Sequence, residues 1–90
     1  MKTNLQVFAE EKMIRIRVKA YAELQRYNPQ RGEEFVVVLE EGSGIKRLMD
    51  FLEIPDHRVM LILKNGRKAA EEDSLADGDA VALLPVVGGG

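Results

Sequence analysis

Only one stretch of this chain repeats its apolar residues at the spacing of a helix. Ile45, Leu48, Met49 and Leu52 recur three and four residues apart, with Lys46, Arg47, Asp50 and Glu53 between them. That spacing builds an amphipathic helix with a single apolar stripe. It predicts about three turns, with Ser43 as N-cap and Pro55 just beyond the end. The other apolar runs are short and strand-like. A helix of about 10 residues covers one face of a sheet, not two. The chain is therefore expected to be α+β, with one main helix packed across one face of a mixed sheet of four to five strands.

The strands are read from alternation. In Met13–Ala20, Ile14, Ile16 and Val18 point one way and Arg15, Arg17 and Lys19 the other, a half-buried strand with a basic outer stripe. Residues 20–27 read as a short helical or turn-like segment, and Asn28-Pro29-Gln30-Arg31-Gly32 as a loop. Residues 33–40 form a second strand. Phe35, Val37 and Leu39 lie on one face and Val36 and Val38 on the other, which predicts that both faces are at least partly covered.

Val59–Lys64 is a third strand, apolar on both faces, and Asn65-Gly66 is a tight hairpin signal leading into a short return over residues 67–70. Residues 71–75 are an acidic connection with an expected turn of helix. Asp77-Gly78-Asp79 is a turn, and residues 80–84 form the last strand. A helix between the second and third strands provides a crossover, and the first and last strands are expected at the centre. This order is a β-grasp.

Composition narrows the chemistry. The chain of 90 residues has no cysteine and one histidine, His57, placed in a polar, proline-broken connection where a solvated ring is expected. Thiol catalysis, disulfides and thiolate metal sites are excluded. Ser43 and Ser74 lie in no nucleophile-elbow pattern. A net charge of −2 lacks the footprint of a general nucleic-acid binder. No apolar run approaches the ~18 residues of a membrane span, and residues 1–12 lack the apolar core of a signal peptide. A cytoplasmic protein with no nucleic-acid or membrane partner is expected.

What remains is the end of the sequence, Leu84-Pro85-Val86-Val87-Gly88-Gly89-Gly90. Glycine has no Cβ, so Gly88, Gly89 and Gly90 can thread a slot that excludes other residues. The organisation expected is an N-terminal extension over residues 1–12, a domain over 13–85 and a flexible glycine tail over 86–90. Leu5-Gln6-Val7-Phe8 in the extension reads as an extra edge strand or a docking segment, with simple disorder as the equal alternative.

From Met13 to Gly90 the chain resembles the MoaD/ThiS group of ubiquitin-like sulfur carriers. The matching pieces are the opening strand with Ala20-Tyr21-Ala22-Glu23-Leu24, then Leu39-Glu40-Glu41-Gly42-Ser43, then Lys64-Asn65-Gly66-Arg67, and finally the run from Leu75-Ala76-Asp77-Gly78-Asp79 to the three terminal glycines. The family commonly ends in two glycines, and Gly44 stands where a threonine often precedes the helix.

The resemblance implies a non-catalytic carrier or small subunit of a sulfurtransferase complex. The carboxylate of Gly90 would be adenylated by an activating partner enzyme that uses ATP, then converted to a thiocarboxylate. The chain itself would hold no cofactor or metal. The sulfur would go to molybdopterin (molybdenum or tungsten cofactor) biosynthesis, through a molybdopterin-synthase-like large subunit or another acceptor enzyme. A thiamine thiazole carrier and a ubiquitin-like protein modifier conjugated through Gly90 are the alternatives, and a binding module without carrier chemistry is a further one. Val86, Val87, Met60 and Ile62 are the expected docking residues for partners.

Overall fold

A computed structural model describes residues 12–30 and 32–86. The expectations placed on residues 1–11, including Leu5–Phe8, and on Val87, Gly88, Gly89 and Gly90 lie outside the described residues.

The elements follow in the order β1 (Met13–Ala20), a 3-10 turn (Ala22–Tyr27), β2 (Glu34–Glu40), helix α1 (Ile45–Leu52), a short 3-10 turn (Asp56–Arg58), β3 (Val59–Lys64), β4 (Arg67–Ala69) and β5 (Ala80–Pro85). They build one five-stranded sheet in the order β2-β1-β5-β3-β4. β1 runs parallel to β5, and the other neighbours pair antiparallel. The last strand in sequence is thus the middle strand in space. This is the β-grasp arrangement, with the first and last strands inside as their need for neighbours predicts.

Alternation decides which side is core. Ile14, Ile16, Val18 and Ala20 of β1, Phe35, Val37 and Leu39 of β2, Ile62 of β3 and Val81 and Leu83 of β5 are buried. They meet Ile45, Leu48, Met49 and Leu52, the whole apolar stripe of α1. Leu24, Ile54 and Leu75 close the margins. The loop before β2 is held by Asn28, which is buried but fully engaged: its Nδ2 donates to the Gly32 carbonyl at 2.7 Å and its Oδ1 accepts from the Gln30 N–H at 2.8 Å.

Four expectations change. The helix has 8 residues, nearer two turns than three. Its N-cap is Gly44, and no side chain caps it. The free N–H groups of Ile45 and Lys46 donate instead to the carbonyls of Asp73 and Glu71, at 2.9 and 3.1 Å. A crossing strand segment, bridged through Gly44 and Ser74, replaces the serine. The acidic connection over residues 71–75 forms this bridge and contains no helical turn. Finally, Val36 and Val38 are about half exposed, at 48% and 46%, because nothing among the described residues lies over their side of the sheet.

Candidate functional site

The end of the sheet where β5 stops is built almost entirely from backbone. The last ladder pair is Val59 with Pro85. Proline brings no N–H, so pairing stops there. The Val86 N–H makes one more bond, to the Arg58 carbonyl at 3.3 Å. The Arg58 guanidinium lies 3.8 Å from the Glu23 carboxylate, joining this corner to the 3-10 turn after β1. The Tyr21 N–H reaches the Leu83 carbonyl at 3.1 Å. The root of the tail is therefore held from both sides as far as residue 86.

Met60 stands beside that root because of a β-bulge. Val59 pairs with Pro85 and Leu61 with Leu84, so Met60 is the extra residue with no partner across the ladder. The bulge shifts the alternation by one. Val59 turns in to pack on the core, while Met60 is 61% exposed. Ile62, expected to dock partners together with Met60, is the correction. It pairs with Leu83 and Ala69 on the helix side and is only 9% exposed. It is a core residue and offers no docking surface. Val86 is half exposed and stands at the tail root. Val87 and the three glycines that follow lie outside the described residues.

The face of the sheet away from α1 is open. Register places Arg15, Arg17 and Lys19 of β1 between Val38 and Val36 of β2 and Ala80 and Ala82 of β5. Leu61 and Leu63 of β3 lie opposite Leu84 and Ala82 and are half-buried. The small side chains of Ala80 and Ala82 leave a shallow depression of about 180 Å³ bordered by Arg17, Lys19, Glu34 and Leu63. The face thus carries a basic stripe along the whole of β1, beside the apolar surface of β5 and β3. The Lys19 ammonium is held above the usual lysine range, chiefly by the Tyr21 side chain and then by Glu33 and Glu34. The sequence carried one signal of this face: Glu34 and Glu40 share it with Val36 and Val38, and carboxylates seldom sit on a covered face.

The described part of the site holds no nucleophile with an adjacent base. His57 lies exposed on the short 3-10 turn before β3. Among the described residues no group of three His, Cys, Asp or Glu is placed to hold a metal ion, and no helix is long and apolar enough to cross a membrane. What the arrangement can do is present a chain end from a rigid root, next to an apolar and basic surface.

Residues 18–90 match the ThiS family. No curated relative matches the chain. Among solved structures, it is similar to the small archaeal modifier protein 1 of Haloferax volcanii, at 23% identity and TM-score 0.66 over 82% of this chain and 99% of that one. It is similar to a candidate subunit 1 of the molybdopterin converting factor from Pyrococcus furiosus, at 22% identity and TM-score 0.67 over 82% and 99%. It also resembles a chain in the complex of subunits 1 and 2 of the molybdopterin-converting factor from Helicobacter pylori, at 24% identity and TM-score 0.54 over 86% and 100%. These likenesses establish a fold shared with ubiquitin-like carriers and modifiers.

Proposed function

The chain belongs to the ThiS family, and from that premise we propose that it is a sulfur carrier for molybdopterin biosynthesis whose working group is the carboxylate of Gly90. The reading is carried by one observation: the family match runs to Gly90 from a final strand locked in the centre of the sheet. A free carboxylate is a poor acyl donor. In the proposed reaction one of its oxygens attacks the α-phosphorus of ATP on an activating enzyme and expels pyrophosphate. A sulfide equivalent then displaces AMP, leaving the thiocarboxylate.

The folded domain supplies binding energy and aim. Threading costs about 1–2 kcal/mol of backbone entropy per residue fixed, and docking of the surface around Met60, Val86 and the open face offsets it. The subunit 1 fold in the Helicobacter pylori complex supports a large-subunit partner of the same kind. Intact-mass analysis of the chain incubated with ATP and the activating enzyme of its own host tests the proposal. An AMP adduct, followed by sulfur in place of one terminal oxygen once a sulfur donor is added, is the expected result. Deletion of Gly89 and Gly90 abolishes both. A terminus that stays unmodified rejects it.

Similarity to a small archaeal modifier protein favours a second reading, conjugation of the same carboxylate to lysines of other proteins. Both start from the adenylate. A host lysate probed for higher-mass species of this chain separates them, since a carrier alone gives none.

A further inference from the structure

Two arginines on the open face stand where the sheet offers them no carboxylate, and we infer that Arg15 and Arg17 bind paired carboxylates on the activating enzyme. This rests on the carrier reading for the identity of the partner and adds the chemistry of its surface.

The charged groups of the face are few. Register puts Arg15, Arg17 and Lys19 of β1, Glu34 and Glu40 of β2 and Lys68 of β4 on it. Each carboxylate already has a cation. Glu34 lies directly opposite Lys19, and Glu40 lies 3.8 Å from the Arg47 guanidinium of α1. Arg15 and Arg17 lie opposite Val38 and Val36 instead, and Arg17 lies opposite Ala80 on its other side. Both arginines are exposed. Neither forms an ion pair within 4 Å among the described residues. The carboxylates of the neighbouring turn are engaged elsewhere: Asp77 accepts the Arg15 backbone N–H at 2.8 Å, and Asp79 accepts from Asn65 and Ala76.

Side-chain type follows the same division. The position facing a carboxylate holds lysine, a compact and strongly hydrated charge. The two without one hold arginine. Its guanidinium is more weakly hydrated and takes a carboxylate through two parallel hydrogen bonds.

Spacing and relief define what fits. Alternate residues of a strand stand about 6.8 Å apart on one face. The two guanidiniums therefore match carboxylates two residues apart on an extended segment, or one turn apart on a helix. Beside Arg17, the depression over Ala80 and Ala82, about 180 Å³, takes one apolar side chain of the same partner. Leu61 and Leu84 continue the apolar surface to Pro85, so a partner seated here adjoins the tail root. A second copy of this chain is a poor occupant, because its own face brings the same cations.

The experiment titrates the isotope-labelled full chain with the adenylating enzyme of its own host, without ATP. Amide signals of Arg15, Arg17, Val36, Ala80 and Ala82 are expected to broaden first. Those of Asp50 and Phe51, on α1, are expected to persist. Binding should weaken as salt is raised. Arg15→Glu with Arg17→Glu is expected to weaken it at least about tenfold, and Arg15→Lys with Arg17→Lys only about threefold. Arg26→Glu makes the same kind of charge change on the 3-10 turn and should stay within about twofold. Urea midpoints check that the reversed variant is folded, and Arg15→Gln with Arg17→Gln replaces it if it is not. Absence of binding overturns the inference, as does broadening confined to other residues or equal weakening by Arg26→Glu. ATP is then added and Gly90 followed by mass. Adenylation that the double reversal does not slow at low carrier concentration refutes this inference and leaves the carrier reading intact. An enzyme that seats on the arginines yet leaves Gly90 unmodified does the opposite.

Discussion

The side chains of Asn65 and Asp79, fourteen residues apart, meet at 2.9 Å and lock the β3–β4 hairpin to the start of β5. Asn65 is in the left-handed region, at φ 53°, which asparagine tolerates in a tight turn. Its Oδ1 accepts the Ala80 N–H at 2.9 Å, and the second Asp79 oxygen accepts the Ala76 N–H at 2.8 Å. Two turns recognisable separately in sequence are thus one clamp on the central strand.

That clamp predicts a pH-dependent cost for Asp79→Asn. The Asn65 amide, and then the Ala76 N–H, hold the Asp79 carboxyl below its usual value. A carboxyl lowered in the folded state stabilises the fold above its unfolded value, and the gain is lost as pH falls through the folded value. The substitution is expected to cost about 1 kcal/mol at neutral pH, the worth of one hydrogen bond. The difference from the parent should shrink below about pH 4. Urea unfolding at pH 7 and pH 3 measures both.

Gly44 and Ser43 should exchange the roles that helix-capping rules give them. A Cβ at Gly44 lies 2.9 Å from the Asp73 carbonyl oxygen, a backbone atom that is itself bonded to Ile45. Gly44→Ala is expected to cost about 1–3 kcal/mol, as overpacking does. Ser43→Ala removes no cap and should stay within about 0.5 kcal/mol of the parent. Denaturant midpoints of the two variants distinguish them.

Met60 and Ile62 should separate binding from stability. Ile62→Ala opens the core and is expected to cost ~2–4 kcal/mol. Met60→Glu is expected to leave the unfolding midpoint nearly unchanged and to slow adenylation of Gly90 several-fold, through weaker docking at the tail root. Calorimetry and the mass assay read the two effects independently.

Glu71 gives a pH effect of the opposite sign. The Asp56 side chain, with burial second, raises the Glu71 carboxyl above its usual range. A carboxyl raised in the folded state opposes folding when ionised, and the penalty disappears below the unfolded value. Glu71→Gln is expected to stabilise the fold slightly at pH 7, within about 0.5 kcal/mol for a surface position, and to have no effect at pH 3.

The legible parts of this fold are those where a local rule met no tertiary competitor. Met13–Ala20 alternates because β1 is buried on one side only. Asn65-Gly66 turns because both positions need positive φ. The misreadings have equally definite causes. Ser43 loses its capping role to carbonyls of a segment about thirty residues later, which no local pattern announces. Met60 and Ile62 part company at a bulge, and one inserted residue inverts every alternation beyond it. The tail could be picked out as a motif, but the full extent of the open face beside its root could not. That surface is assembled from four strands whose order is not written in any one of them.

The central position of β5 also bears on how the molecule is made. β1 and β3 are joined in the sheet through β5, the last strand in sequence among the described residues. A nascent chain lacking it holds two unjoined hairpins and little sheet, so the domain closes only when synthesis has passed residue 85. Products broken off earlier are left as unfolded material for proteolysis. They cannot persist as folded domains that lack the central strand.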